Sequence, residues 1–298
     1  MAEDLLAALQ YKDALHIALQ QQDSRLAPLA VQSSYSGKGV RMLEELGAVS
    51  MQPFATKRDP IRPIETDWSA RWTSPAYFDL PLQLDRKEQA QALSDPKSTL
   101  VQAARAAVER RKDQCMKDAF FGDALTGANG TVTKTWAVEG ANQIVSQGVG
   151  AAAACRLNVK KLRAALKILK KNEVNRQYER LYVGIDAEQS DALYEEAVFI
   201  SKEFTADAFI RNDQGIITSF LGFQFVEIEN LPNDGTYTQI PVWAASAMDF
   251  GTWDTEITRV YEDMSLRGHP WTSYLYRAYS AARRDPKRIV EIKCKVSE

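Results

Sequence analysis

One uninterrupted helical pattern constrains the fold of this 298-residue chain more than any other feature of the sequence. Ser94 and Asp95 offer capping side chains, and Pro96 follows them in what would be the first turn. Small and apolar residues then recur at helical spacing, at Leu100, Ala104, Ala107, Val108, Cys115 and Ala119. The pattern predicts a helix over residues 95–121, about 40 Å long at 1.5 Å per residue, which is unusually long for a globular protein.

The stretch FFGDALTGANGTV follows this helix, and its glycines are spaced as in a phosphate-binding loop. Ala128 and Asn129 stand where that loop needs a lysine and a hydroxyl residue, and a phosphate-binding loop follows a strand rather than a helix. A nucleotide site is therefore disfavoured. We expect Gly122 to stop the long helix and Gly127 and Gly130 to turn the chain.

Residues 49–85 alternate between apolar and polar side chains, which is typical of strands with one apolar face. Two runs carry the alternation, residues 64–72 and 76–84, and five prolines between positions 53 and 81 exclude central strands. The pattern predicts a long two-stranded excursion. Its tip is expected at residues 57–60, with residues 73–75 as the alternative.

An isolated two-stranded ribbon is marginally stable in water, so its apolar face should be covered by another surface. Tryptophans at strand spacing favour a protein–protein contact over a ligand-stacking site. The candidate contact residues of this ribbon are Lys57, Arg58, Ile64, Trp68, Arg71, Trp72, Tyr77 and Phe78. Residues 4–20 form an amphipathic helix pattern at the start of an N-terminal arm, with candidate contacts at Leu5, Leu9, Leu15 and Leu19.

The remainder of the chain predicts an α/β middle followed by terminal strands. Asn158 precedes a helix over Val159–Lys171, RLYVGI is a strand, Asp186 starts a further helix, and residues 223–228 form another strand. We expect the exposed lysine face of the first of these helices to be solvated. The basic group Arg283, Arg284, Lys287 and Arg288 is interpreted as a solvated turn rather than an anion site.

No pattern predicts catalysis, and we expect no catalytic, metal-binding or cofactor-binding residue. The motifs H-E-x-x-H, C-x-x-C and G-x-S-x-G are absent, and two histidines offer little for a zinc cluster. Cys115, Cys155 and Cys294 are scattered as free thiols are. The net charge of −2 argues against a strongly basic nucleic-acid binder, and the sequence contains neither an apolar run of bilayer length nor a secretion signal.

Four stretches, in this order, make the sequence similar to the tailed-phage major capsid proteins of the HK97-like fold. The first is LQLDRKEQAQALSDPKSTLVQAARAAVERRKDQCMKDAFFGDALTG, with a D-P-x-S start, an R-x-x-D in the middle and a T-G exit. The others are RLYVGIDAEQSDALYEE, then GIITSFLGFQFVEIENLP with VWAASAMDFGTW, and finally YSAARRDPKRIVEIKC. The similarity covers almost the whole chain, and the order and spacing of the motifs make it specific.

The resemblance implies an α+β fold with four parts. These are an N-terminal arm (1–48), an extended loop (49–92), a peripheral domain (93–150 and 252–298) with a spine helix at about 95–121, and an axial α/β domain (151–251). It also implies hexamers and pentamers that tile an icosahedral head around double-stranded DNA contacted without sequence specificity. Further expected partners are a separate scaffolding protein, a portal and a cement protein, with no membrane partner. The location would be the virion, assembled in the cytoplasm of a host bacterium.

Two alternatives stay open at the level of the sequence. An encapsulin-type cellular nanocompartment shares the fold and would hold an enzyme cargo instead of a genome. An enzyme with an α/β domain is the alternative from another class, and it would be a monomer or small oligomer with a ligand in its cleft. Some relatives cross-link through a lysine, and although Lys57 lies near the predicted tip, nothing in the sequence supports that chemistry here.

Overall fold

The computed structural model describes residues 21, 23–47, 49–51, 63–66, 68–84, 96–151, 153–203, 209–211, 217–233, 235–253, 257–267 and 269–296. Its helices are α1 (Pro96–Phe121), α2 (Trp136–Glu139), α3 (Val159–Lys171) and α4 (Ala187–Glu203), with 3-10 turns at Ala27–Leu29 and Pro286–Arg288. The predicted long helix is confirmed to within one residue. The arm contacts predicted at Leu5, Leu9, Leu15 and Leu19 lie outside the described residues, as do Lys57 and Arg58 at the predicted tip.

Strands make up most of the remaining regular structure. The first eight are β1 (Val31–Tyr35), β2 (Val40–Leu46), β3 (Trp68–Thr73), β4 (Ala76–Leu84), β5 (Ala124–Thr126), β6 (Val132–Lys134), β7 (Ile144–Val145) and β8 (Leu181–Ile185). The next eight are β9 (Phe209–Arg211), β10 (Ile217–Phe220), β11 (Phe223–Glu227), β12 (Tyr237–Ala244), β13 (Met248–Trp253), β14 (Ile257–Glu262), β15 (Trp271–Arg283) and β16 (Ile289–Lys295). Mostly antiparallel sheets with separate helices make this an α+β fold, as predicted.

The chain divides into two compact units. The first comprises Met1–Ser36, Pro75–Lys117 and Phe250–Ser280, and the second comprises Gly37–Ser74, Asp118–Asp249 and Ala281–Glu298. In the first unit a five-stranded sheet has the order β1-β13-β15-β14, with β4 also paired to β15. Phe78 and Phe250 both contact the ring of Tyr279, at centroid distances of 6.4 and 5.7 Å.

The two alternating runs of the sequence do not pair with each other, as the alternative tip at residues 73–75 would require. β3 pairs with β2, in a register that places Val40 opposite Thr73 and Leu46 opposite Trp68. β4 pairs with β15 instead, from Ala76 opposite Tyr279 to Leu84 opposite Trp271. The alternative tip at residues 73–75 is therefore wrong, whereas the expected tip at 57–60 lies outside the described residues. Alternation identifies the apolar face of a strand but carries no information about its partner.

The second unit contains a seven-stranded sheet in the order β7-β16-β12-β8-β11-β10-β9. β8 pairs with β11 in parallel and with β12 in antiparallel, and all five of its residues are buried. Helix α3 begins where predicted, because the Asn158 side chain accepts a hydrogen bond from the Lys161 amide at 2.8 Å. Its apolar face, Leu162, Leu166 and Leu169, is buried.

A four-stranded sheet, β2-β3-β5-β6, belongs to the same unit and contains the glycine turn. β5 and β6 form a hairpin, and Gly127 and Gly130 within it have φ of +90° and +67°, which favours glycine. Gly122 directly follows α1, and a Cβ there would lie 2.5 Å from the Asp118 carbonyl oxygen. The helix stop and the turn are both confirmed.

Candidate inter-subunit surfaces and the clusters that hold them

The predicted contact residues separate into exposed and enclosed groups. Ile64 and Trp68 of the second unit are exposed, Trp68 by 66% of its surface. In the first unit Tyr77 is exposed by 55% and stacks on Tyr276 at 5.8 Å, while Phe78 is half-buried beneath the Arg111 guanidinium, 4.1 Å from its ring centre. Ile64, Trp68 and Tyr77 thus present apolar surface that the described part of the chain does not cover.

Trp72 is half-buried and connects β3 to the glycine turn. Its Nε1 donates a hydrogen bond to the Gly127 carbonyl at 2.7 Å. A Cβ on Gly130 would lie 2.8 Å from Trp72 Cγ, so the indole packs directly on the backbone of the turn. The glycines that resemble a phosphate loop in sequence therefore form a platform for an aromatic ring.

Arg71 is also enclosed, which corrects its prediction as a surface contact. Its Nη1 donates to Glu139 Oε1 at 2.6 Å, and both side chains are less than 10% exposed. The opposite oxygen of Glu139 lies 3.5 Å from Nη2 of Arg283, whose side chain is 1% exposed. One buried carboxylate is therefore shared by two buried guanidinium groups. We call Arg71, Glu139 and Arg283 the arginine–glutamate triad.

Arg283 also caps the carboxyl end of α1. Its Nη1 donates to the carbonyls of Ala119 at 3.1 Å, Phe120 at 3.2 Å and Gly122. The last carbonyls of a helix have no partner within it and carry partial negative charge, so a cation there is favourable. Burial lowers the pKa of Arg283, and the charge of Glu139 opposes that shift. The prediction that Arg283 belongs to a solvated turn is wrong.

The rest of that basic group does lie in a surface turn. Asp285 caps the 3-10 turn by accepting the Lys287 amide at 2.9 Å, and Lys287 itself is exposed. Arg288 pairs with Asp285 at 3.1 Å and with Glu179. Residues that are adjacent in sequence therefore have two separate roles. Arg283 is a buried helix cap, and the 3-10 turn that follows lies at the surface.

A buried aspartate holds the N-terminal segment in the first unit, and sequence reasoning missed it. Asp113, 4% exposed, accepts hydrogen bonds from the Ser24 hydroxyl at 2.6 Å and the amides of Arg25 and Leu26 at 2.9 and 3.0 Å. The Gln21 side-chain amide donates to it as well. The R-x-x-D motif ending at Asp113 was the available signal, but its partners lie almost 90 positions away.

We expect Asp113→Asn to lower the free energy of unfolding by about 2–3 kcal/mol. The amide keeps the shape of the carboxylate but turns one acceptor into a donor that faces other donors. Amide hydrogen exchange at Arg25 and Leu26 should accelerate, and urea unfolding measures the stability. Asp23→Asn is the control, since Asp23 is exposed and the charge change is the same; it should cost no more than about 0.5 kcal/mol. Equal exchange rates at Arg25 and Leu26 in the two variants would contradict the role of Asp113 in holding the N-terminal segment.

The described residues do not assemble a chemical centre. Among them, no group of three or more His, Cys, Asp or Glu side chains is placed to hold a metal ion. Burial raises the pKa of the Cys294 thiol to about 12, so it stays protonated at neutral pH. Within the same residues, no helix has both the length and the apolar character that crossing a membrane requires.

Comparison with known proteins decides the family. A family model described as phage capsid protein matches residues 5–296, nearly the entire chain. The chain belongs to the phage capsid protein family. Members of this family are structural proteins of the virion. A search of curated proteins finds no match.

Solved structures show the same fold despite low sequence identity. The capsid of the cyanophage P-SCSP1u is 11% identical, with a TM-score of 0.69, and the match covers 96% of this chain and 92% of that one. The mature capsid of bacteriophage PhiM1 is 8% identical, with a TM-score of 0.68 and coverage of 97% and 92%. The holo-SrpI encapsulin complex of Synechococcus elongatus is 10% identical, with a TM-score of 0.65 and coverage of 98% and 96%. The predicted HK97-like fold is confirmed.

Proposed function

We propose that this capsid protein is the major shell subunit of a tailed-phage head, forming the hexamers and pentamers of an icosahedral container for double-stranded DNA. The observation that carries the proposal is the contrast along β3. Arg71 and Trp72 fix one end of the strand inside the second unit, while Trp68 at the other end is two-thirds exposed. A strand that is held at one end and presents an exposed apolar side chain at the other is suited to packing on a neighbouring copy.

The proposed parts of the subunit differ from the expected domains in two respects. Ile144–Val145 and Ile289–Lys295, expected in the peripheral domain, are strands of the seven-stranded sheet that contains β8 and β11 of the axial domain. Because β2 pairs with β3, the extended loop begins at Val40, inside the segment first assigned to the arm. Ile64, Trp68 and Tyr77 are the described residues proposed to contact neighbouring subunits. A separate scaffolding protein, a portal and a cement protein are proposed partners. Assembly would take place in the host cytoplasm, with no enzymatic step assigned to this chain.

The encapsulin alternative has a specific observation in its favour, the similarity to the SrpI shell at a TM-score of 0.65. The same backbone can enclose a genome or a protein cargo, so fold alone does not separate the two functions.

Electron microscopy of the purified full chain, together with analysis of what the particles contain, tests the proposal. We expect closed icosahedral shells, and particles from infected cells should hold nuclease-protected double-stranded DNA. A monomer or small oligomer by light scattering would contradict a shell function. Closed shells that protect an enzyme and no DNA would favour the encapsulin alternative.

A further inference from the structure

A cleft of about 440 Å³ lies in the second unit between α3 and the turn that joins β10 to β11. Its floor is apolar, formed by Leu166 and Leu221, and its rim is entirely cationic. The rim residues are Arg163, Lys167, Lys170 and Lys171. We call these four side chains the α3 basic stripe, since they lie at positions i, i+4, i+7 and i+8 of one helix.

The α3 basic stripe differs from an ordinary solvated helix face. Helix α3 contains no acidic residue, so Arg163–Lys167 and Lys167–Lys171 are like-charge neighbours one turn apart, which destabilises a helix. In the part of the chain that the structure describes, none of the four forms an ion pair, whereas Arg156 nearby in sequence pairs with Glu195 at 2.7 Å. Attraction to the helix dipole accounts for cations in the last turn, at Lys170 and Lys171, but not for Arg163 and Lys167.

A fifth cation is held at the same cleft by the backbone. Arg176 Nη2 donates to the Leu221 carbonyl at 2.9 Å, across a turn in which Leu221 and Gly222 have φ of +53° and +83°. A Cβ on Gly222 would lie 2.2 Å from that same nitrogen, so a larger residue there would displace the guanidinium from its present position. The positive φ at both positions is that of a two-residue turn between the directly paired Phe220 and Phe223, and this turn presents the Leu221 carbonyl to the arginine.

We infer that the α3 basic stripe, with Arg176, binds the phosphate backbone of duplex DNA. The stripe extends about 12 Å along the helix axis, which exceeds the size of one phosphate. Duplex DNA presents one charge per about 3.4 Å along each strand, so three or four successive phosphates match this length. A repeating anion beside α3 would relieve the repulsion among these four cations, which gather on one helix of a chain whose net charge is −2. The inference rests on the proposed enclosure of DNA and assigns a specific surface to that contact.

Fluorescence anisotropy with a labelled random-sequence duplex of about 20 base pairs, at about 50–200 mM salt, tests the inference. The test variant replaces the stripe with glutamine, as R163Q, K167Q, K170Q and K171Q. The control variant, K38Q, K134Q, R259Q and R267Q, removes the same charge from exposed positions elsewhere. A third variant, K167R, K170R and K171R, keeps the charge. Urea unfolding checks that each variant folds.

We expect the stripe variant to reduce the slope of log affinity against log salt by about 3–4, since each lost phosphate contact removes about one. The dispersed control and the arginine variant should both bind as the unaltered protein does. Equal slopes for the stripe variant and the control would overturn the inference, as would stripe-dependent binding of polyglutamate as tight as that of DNA. Electron microscopy of the same samples reports the shell function separately, because shells can form whether or not the stripe binds DNA.

Discussion

Replacing Glu139 by alanine should lower the free energy of unfolding by about 3–5 kcal/mol, more than any other single substitution considered for this chain. Glu139 supplies the only carboxylate within ion-pair distance of Arg71 and Arg283 among the described residues. Both guanidinium groups would remain buried and charged without it. A buried charge that has lost its partner cannot recover its hydration, so the cost exceeds the value of an ordinary ion pair.

The matched control is Glu195→Ala. Glu195 approaches Arg156 at 2.7 Å, close to the 2.6 Å between Glu139 and Arg71, but its side chain is 59% exposed. Exposed pairs contribute about 0–1 kcal/mol because water replaces the lost partner. Urea unfolding of dissociated subunits gives both values. Similar losses in the two variants would mean that burial does not set the strength of the arginine–glutamate triad.

Amide exchange should locate the damage caused by Glu139→Ala. The triad holds β3 through Arg71 and the carboxyl end of α1 through Arg283. Exchange should accelerate at β3 and at Gly122, while β8, which lies in the middle of the seven-stranded sheet, keeps its protection.

Local elements of the fold could be predicted from the sequence because their causes are local. Helix α1, the stop at Gly122 and the cap at Asn158 each depend on residues within a few positions of one another. Contacts between residues far apart in the sequence could not be predicted in this way. Arg283 and Glu139 are 144 residues apart, and nothing in a basic group beside Asp285-Pro286 indicates that one member is buried.

The candidate surface was predicted only in part for a related reason. Alternation along β3 placed Trp68 and Trp72 on one apolar face. In the structure β5 pairs with β3 only at Arg71 and Trp72, so that end of the strand is central in its sheet and the end at Trp68 is an edge. Trp68 therefore lies beyond the end of β5, and the sequence of a short segment such as Ala124–Thr126 does not reveal how far along β3 it pairs.

Replacing residues 47–67 with Asn-Gly should abolish closed shells while leaving a folded subunit. Leu46 and Trp68 are directly opposed across β2 and β3, so a two-residue turn can join them without changing the register. The variant retains Arg71 and Trp72, and hence the contacts that hold β3 within the second unit. Its free energy of unfolding should stay equal or rise, since a shorter loop has less closure entropy to lose. Electron microscopy and light scattering detect the loss of assembly.

A point substitution tests the exposed indole of Trp68 independently of the length of the segment that joins β2 to β3. Trp68→Ala should change the stability of the isolated subunit by no more than about 0.5 kcal/mol, because the indole is largely exposed there. It should nevertheless weaken assembly, since the ring would be buried only against a neighbouring copy. Tyr178→Ala is the control, an 85% exposed aromatic residue outside the ribbon, and it should assemble normally. Normal shells from both the shortened variant and the Trp68 variant would overturn the role of β3 and the segment before it in assembly. The two variants change this surface independently of each other.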